Sequence, residues 1–254
     1  MPMSDAARRT RQQLFGDRVT TLPQTDPELA SYFDTFLFDE AWNHGSLDPQ
    51  TRLLVVLGGL VGCGARTQFR TMLGAALDNG VTPVQAKEVV YHAIAYMGIG
   101  RVYDFLTITN DVLEARGVEL PLEGQSTTTP ETRMDKGKHV QGEIIGHDRV
   151  EALHATATAD QKHIQEWLSA NCFGDNYTRG GISLATRELL TFVVIVAQGG
   201  CDSQARSHVA GNLRVGNGRQ VLLDAVSQLL PYLGYPRSLN AIAAINEVAP
   251  AEQA

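Results

Sequence analysis

The sequence predicts an all-α protein made of two tandem copies of one helical unit. Three observations carry that prediction. The chain matches itself at offsets of 135 and 136 residues, its apolar residues recur at helical spacing, and helix stops fall at corresponding places in the two copies.

The self-match is specific. "FDEAWNHGSLDPQTRLL" (38–54) lies over "FGDNYTRGGISLATREL" (173–189) without a gap, pairing Phe38 with Phe173, Trp42 with Tyr177, Gly45 with Gly180 and Arg52 with Arg187. One residue further in offset, 78–106 lies over 214–242 and pairs Gly80 with Gly216, Tyr96 with Tyr232 and Gly98 with Gly234. Between these blocks Gln68 and Arg70 meet Gln204 and Arg206.

The elements follow in order. "RTRQQLFG" (9–16) reads as an entry helix and loosely matches "KHVQGEIIG" (138–146). "LLVVLGGLVG" (53–62) and "LTFVVIVA" (190–197) occupy equivalent places. The second is β-branched enough for a strand, but neither alternates, and both read as buried central helices. A stop at Asn79-Gly80 precedes Thr82-Pro83, a restart signal, and Gly216 stops the second copy. Ala86, Val89, Val90, Ala93 and Ile94 then form one helical stripe, matched by Val221, Leu222, Ala225, Val226, Leu229 and Leu230. "ELPLEGQSTTTPET" (119–132) is rich in Pro, Ser and Thr and reads as an extended linker. The predicted units are therefore 1–118 and 133–254, joined by 119–132.

Composition narrows the function. A net charge of −7 argues against a nucleic-acid partner, which needs a basic face, and no cluster of Lys and Arg suits an anionic membrane. No apolar run reaches spanning length, and the N-terminus lacks the apolar segment of a signal peptide. Three cysteines without a CxxC pair (Cys63, Cys172, Cys201) predict a reducing, cytoplasmic setting. The histidines His44, His92, His139, His147, His154 and His163 show no metal-ligand spacing, so no metal is expected.

The second copy resembles a whole carboxymuconolactone decarboxylase subunit. The likeness runs through "RMDKGKHVQGEIIG" (133–146), "NYTRGGISLATRELLTF" (176–192), "SHVAGNLRVGN" (207–217) and "LLPYLGYPRSLNAI" (229–242). The first copy resembles the same family through "LDPQTRLLVVLGGL" (47–60) and "ALDNGVTPVQAKEVVYHAIAYMG" (76–98). The resemblance implies the alkyl hydroperoxidase D-like helical fold, no cofactor, and an anionic small-molecule substrate. Peroxidases of this superfamily carry a Cys-x-x-Cys-x-x-x-His helix. Here Cys201 and His208 take the first and last positions, and Gln204 replaces the second cysteine. A dithiol cycle then lacks its resolving sulfur.

Cys201, Gln204 and His208 are spaced to share a helical stripe within about 60°. His208 is the expected proton donor, because imidazole exchanges protons near neutral pH. The resemblance assigns Glu188 to orient it. Arg179, in the loop "NYTRGG", suits a substrate carboxylate. Gln204 is expected to serve a developing oxyanion, and Tyr177, Tyr232 and Cys201 to line the pocket. Arg206, on the other side of the helix, is expected in an ion pair. The first copy has Ala65, Gln68 and Met72 where the second has Cys201, Gln204 and His208, and Leu53 in place of Glu188. That asymmetry predicts a structural half fused to a catalytic half.

The reading is a cofactor-free decarboxylase of an unsaturated carboxylated lactone such as 4-carboxymuconolactone, or of a related keto acid, as in aromatic-compound degradation. A peroxidase-like thiol oxidoreductase using Cys201 and a non-catalytic relative are the alternatives. Two copies per chain predict a homotrimer, a pseudo-hexamer of domains.

Overall fold

The computed structural model describes residues 3–18 and 22–251, and these contain helices and no strand. The first copy begins with α1 (Asp5–Phe15), α2 (Leu22–Thr25) and α3 (Pro27–Thr35), which runs on into a π-helical segment, Phe36–Ala41. The unit proper follows as α4 (Pro49–Gly62), α5 (Arg66–Asp78), α6 (Pro83–Met97) and α7 (Ile99–Glu114). The second copy repeats this order. It has α8 (Arg133–Ile145), α9 (His147–Thr156) and α10 (Lys162–Trp167), the last continuing into a π-helical Leu168–Tyr177. Then come α11 (Leu184–Gln198), α12 (Asp202–Arg214), α13 (Arg219–Leu233) and α14 (Tyr235–Val248).

Local signals set the boundaries. Thr82 caps α6 with a reciprocal capping box to Gln85, behind which Pro83 takes the first helical turn. Such a cap stabilises a helix by about 1 kcal/mol. Asp48 and Ser183 cap the two central helices through backbone N–H groups of their first turns. The β-branched run at 190–197 is helical, since it is the buried centre of α11.

α4 and α11 cross at the middle of the molecule, and small residues let them approach. A Cβ on Gly62 would lie 2.5 Å from the Ala197 Cβ, and one on Gly58 3.0 Å from Leu190. Around this crossing the copies exchange helices. α13 packs on α4, where a Cβ at Gly59 would meet Leu229 at 2.2 Å, and α6 packs on α11. Leu190 and Val194 consequently sit in the first copy's core, and Val55 in the second's.

Segment 119–132 is extended but not loose. Gln125 O accepts from Gly180 N at 2.9 Å, and Thr127 Oγ1 donates to Thr178 O at 2.9 Å, so the strap lies along the loop that carries Arg179. Among the described residues no helix is long and apolar enough to cross a membrane.

Candidate active site

The site is built on Glu188, in the second turn of α11 and fully buried. His208 on α12 directs Nδ1 to Glu188 Oε1 at 2.7 Å. Its side chain keeps 15% of its surface exposed, and among the described residues no hydrogen bond engages Nε2. One turn on, a Cβ at Gly211 would stand 2.3 Å from Glu188 Oε1 and 2.9 Å from Ile144. A glycine is what lets α12 come this close to a buried carboxylate. The Asn212 amide donates to the backbone oxygens of Glu188 (3.0 Å) and His208 (2.7 Å), locking the two helices in register.

The other carboxylate oxygen is served by a chain of hydroxyls. Tyr177 donates to Glu188 Oε2 at 2.6 Å and accepts from the Tyr96 hydroxyl at 2.8 Å. Thr191 Oγ1 lies 2.6 Å from the Tyr177 oxygen and 2.7 Å from His92 Nε2. The Tyr177 proton is committed to Glu188, His92 Nδ1 faces the Asn176 Oδ1 at 3.2 Å, and Thr191 Oγ1 also reaches Arg187 O at 3.1 Å. The Tyr96 and Tyr177 hydroxyls both point toward the carboxylate. Such aligned donors reinforce one another in a low-dielectric interior.

Burial sets the protonation states. It pushes His92 down to about 3, aided by the neighbouring Arg187 guanidinium, so this ring is neutral at physiological pH. It holds Tyr96 and Tyr177 well above the usual phenol range, with the Cys172 and Glu188 charges adding to the effect. Cys172, with Sγ 4.0 Å from the Tyr96 oxygen, is pushed up to about 11 by the same burial. Its thiol is therefore not the thiolate that nucleophilic sulfur chemistry needs.

A buried ionic cluster stands beside this chain. Glu88 accepts from Arg187 Nη2 at 2.8 Å and from Arg179 Nε and Nη2 at 2.8–3.1 Å. Arg187 also holds the carbonyls of Arg179 and Gly180, at 2.9 and 2.6 Å. Removing one partner from a buried pair of this kind costs about 3–5 kcal/mol.

The expected site residues divide. Glu188, Tyr177 and His208 come together. Arg179 turns instead to Glu88 and stacks 5.2 Å over the Tyr91 ring. Gln204 is exposed, and its amide oxygen accepts from Ser203. Cys201 precedes α12 in a non-helical conformation (φ −128°, ψ 42°), so the stripe expected to include it begins only at Gln204. Its sulfur accepts from Gln198 Nε2 at 3.4 Å, and it lines a separate cleft with Arg237. Tyr232 lies in the other half, 3.8 Å from the Met72 sulfur. Arg206 forms an exposed ion pair with Glu247.

Sequence reading missed His92, Tyr96, Thr191 and Cys172. Tyr96 and His92 stand on α6, in the half expected to be structural, so the site draws on both copies. Signals existed for two of them: His92 and Thr191 are polar residues inside otherwise apolar helical runs, 89–97 and 189–197.

The fold and site together define an all-α protein of paired units that lend each other helices, with a carboxylate-held histidine near the surface. The chain belongs to the carboxymuconolactone decarboxylase family, whose model matches residues 27–111 and again 162–247. It is similar to the 4-carboxymuconolactone decarboxylase of Acinetobacter baylyi, at 24% identity over 113 residues, 42% of this chain and 84% of that one. It is also similar to a nitrosuccinic acid decarboxylase of Metarhizium robertsii, at 29% identity over 28% of this chain and 50% of the relative. A solved structure described as a gamma-carboxymuconolactone decarboxylase subunit from Burkholderia xenovorans shares the fold. Its TM-score is 0.54 at 19% identity, covering 95% of this chain and 96% of that one. Family membership and these relatives support a decarboxylase-like activity at the level of the family.

Proposed function

We propose that the protein is a cofactor-free decarboxylase of an anionic unsaturated lactone or related keto acid, with His208 as the proton donor. The observation that carries this reading is the His208–Glu188 pair. Nδ1 is fixed on a buried carboxylate, and Nε2, unengaged among the described residues, belongs to a side chain that reaches the surface. That arrangement suits a group that must hold a proton and release it in one direction.

In such a substrate the carboxylate sits on the ring carbon bonded to the lactone oxygen. The C–C bond to the carboxylate breaks, CO2 leaves, and the electron pair flows through the double bond onto the lactone carbonyl oxygen. The electrons then return to carbon as that carbon takes the proton from His208 Nε2. The resulting neutral imidazole is held by Glu188 until it is reprotonated from solvent. Tyr177, Tyr96, Thr191 and His92 act as positioning residues for the carboxylate. Arg179 is read as ordering its loop through Glu88, not as gripping substrate, and Gln204 and Cys201 as lying outside the reacting centre. A thiol mechanism draws no support from a Cys172 pushed up to about 11 and a Cys201 with no sulfur partner.

The test is CO2 release from 4-carboxymuconolactone and a panel of unsaturated lactone acids and β-keto acids. We expect turnover of at least one member without added metal or cofactor. No release from any of them, by protein confirmed folded, would overturn the reading.

A further inference from the structure

The half in which Met72 stands for the histidine has a cavity of about 600 Å³ at the place equivalent to the His208 site. Met72 stands there for His208, Tyr232 for Tyr96, Phe38 for Phe173 and Leu37 for Cys172, at the offsets of the repeat. The chemistry has been replaced by apolar surface, but the space has not been filled. A volume of this size is typical of small-molecule sites.

Two features show that the cavity is more than a dent between helices. Asp34, 6% exposed, lines it and carries an Oδ2 with no hydrogen-bond partner among the described residues. A buried acceptor left unmet carries a desolvation penalty, which a ligand donor would recover. The rim is also cationic: Arg11, Arg18, Arg70 and Arg116 line it against Asp34 and Asp111, in a chain whose net charge is −7. Arg18 and Arg116 converge on Asp78, and Arg70 pairs with Asp111, which leaves a surplus of positive charge at the mouth. Among the described residues the Tyr232 hydroxyl, within the same cavity, has only the Met72 thioether as acceptor.

We infer that this cavity is a second, non-catalytic binding site for an apolar-bodied carboxylic acid that also carries a hydroxyl group. The carboxylate meets the guanidinium rim, the body covers Phe38, Leu37 and Met72, and the hydroxyl donates to Asp34. Burial raises the Asp34 carboxyl while Arg11 opposes that rise, so a neutral donor is the better match there than a second cation.

The experiment uses the full chain and the fluorescent sulfonate 8-anilinonaphthalene-1-sulfonate, displaced in turn by 10-hydroxydecanoate, decanoate and 1-decanol. We expect one saturable site per chain, with the hydroxy acid displacing the probe at a concentration at least tenfold below that of decanol and decanoate between them. Leu37→Trp fills the cavity and should weaken probe binding at least tenfold. Gln68→Trp, at the exposed rim, does the same without touching the core and guards against misfolding of the first variant. His208→Ala should leave binding unchanged. The inference is overturned by absence of saturable binding, by decanol competing as well as the acids, or by loss of binding in His208→Ala with retention in both tryptophan variants. It is equally overturned if the probe fails to bind while Gln68→Trp shifts the mass in light scattering, which would mean that another copy of the chain covers this face.

Discussion

The surroundings of His208 and of Met72 are the same arrangement of helices carrying different chemistry. In each, a tyrosine from the partner copy reaches the key residue of α5 or α12. The Tyr96 ring stands edge-on to His208, 5.9 Å between centroids, and the Tyr232 hydroxyl reaches the Met72 sulfur. In each, an acid from the partner copy serves the loop before the central helix: Glu88 holds Arg179 and Arg187, and Asp224 accepts from Ser46 N at 2.7 Å near Arg52. His92 meets Asn176, and its counterpart Gln228 donates to Ala41 O and His44 O. The polar groups that fasten the copies together thus occur twice, and the groups that can move a proton occur once. What separates a fastening residue from a candidate catalytic one is whether it is present on both sides. By that standard Glu88 and Arg187 belong to the fold, while Glu188 and His208 are the groups proposed for the chemistry, with Gly211 giving them room.

The largest effect expected from breaking this asymmetry is His208→Ala. General acid catalysis contributes roughly 10²–10⁴-fold, so decarboxylation should fall by that factor, equivalent to about 3–5 kcal/mol in the barrier. The loss should appear in kcat with little change in KM. Met72→Ala, the same truncation in the other half, should leave kcat within about threefold. Steady-state kinetics of the two variants decide the matter. Equal rates for His208→Ala and wild type would remove the acid from the mechanism.

His92 offers the next largest effect, as a dependence on pH. The native state holds it near 3 against an ordinary value of 6.5, so between those values the unfolded chain binds a proton that the folded chain refuses. Stability therefore falls as pH drops below 6.5, by about 1.4 kcal/mol per unit, or about 3 kcal/mol by pH 4. His92→Gln, which copies Gln228, should lose this sensitivity: less stable than wild type at pH 7 by about 1–2 kcal/mol, and relatively recovered at pH 4.5. Urea midpoints at the two pH values would show it. A parallel decline in both proteins would mean that His92 already accepts the proton when folded.

Gly211 tests the carboxylate pocket. The first copy has Ala75 at this position and Leu53 where Glu188 stands, so the glycine goes with the acid. Gly211→Ala puts a methyl at 2.3 Å from Glu188 Oε1, and something fully buried must give. Overpacking of this kind costs about 1–3 kcal/mol. We expect a lower Tm and displacement of the His208 imidazole, seen as a changed pH profile. Ala75→Gly in the other half should lose helix propensity and one buried methyl with no clash, at about 1–2 kcal/mol.

The fold was legible because repeats and helical periodicity are local properties of the sequence. Offsets of 135 and 136 gave the tandem architecture, and the apolar centres of α4 and α11 were recognisable once set side by side. The candidate site was legible only along single segments: Glu188, His208 and Tyr177, which the fold brings together, all lie within the second copy. His92 and Tyr96 were hidden because helix exchange is a matter of how the two copies dock, on which periodicity is silent. The same exchange explains why Tyr232 was expected at the wrong pocket. Cys201 was misplaced for a different reason. Helical spacing put it in line with His208, but the helix starts one residue later, after Gly199 and Gly200 in left-handed conformations (φ 72° and 73°).

That displacement gives the smallest and last prediction. Cys201 is half-buried, accepts one long bond from Gln198, and borders a cleft that His208 does not line. Cys201→Ala removes a small, soft side chain from a helix N-terminus where it makes no capping bond. The expected cost is under about 1 kcal/mol in stability, with kcat within about twofold of wild type. Its counterpart in the other copy is Ala65, so the substitution makes the two copies alike at this position, as Met72 and His208 are not. Kinetics with the substrate identified from the lactone and keto-acid panel, alongside thermal melts, measure both quantities. A Cys201→Ala protein that melts normally but has lost turnover would mean that sulfur takes part in the reaction, and that the proton supplied by His208 is not the whole of the chemistry.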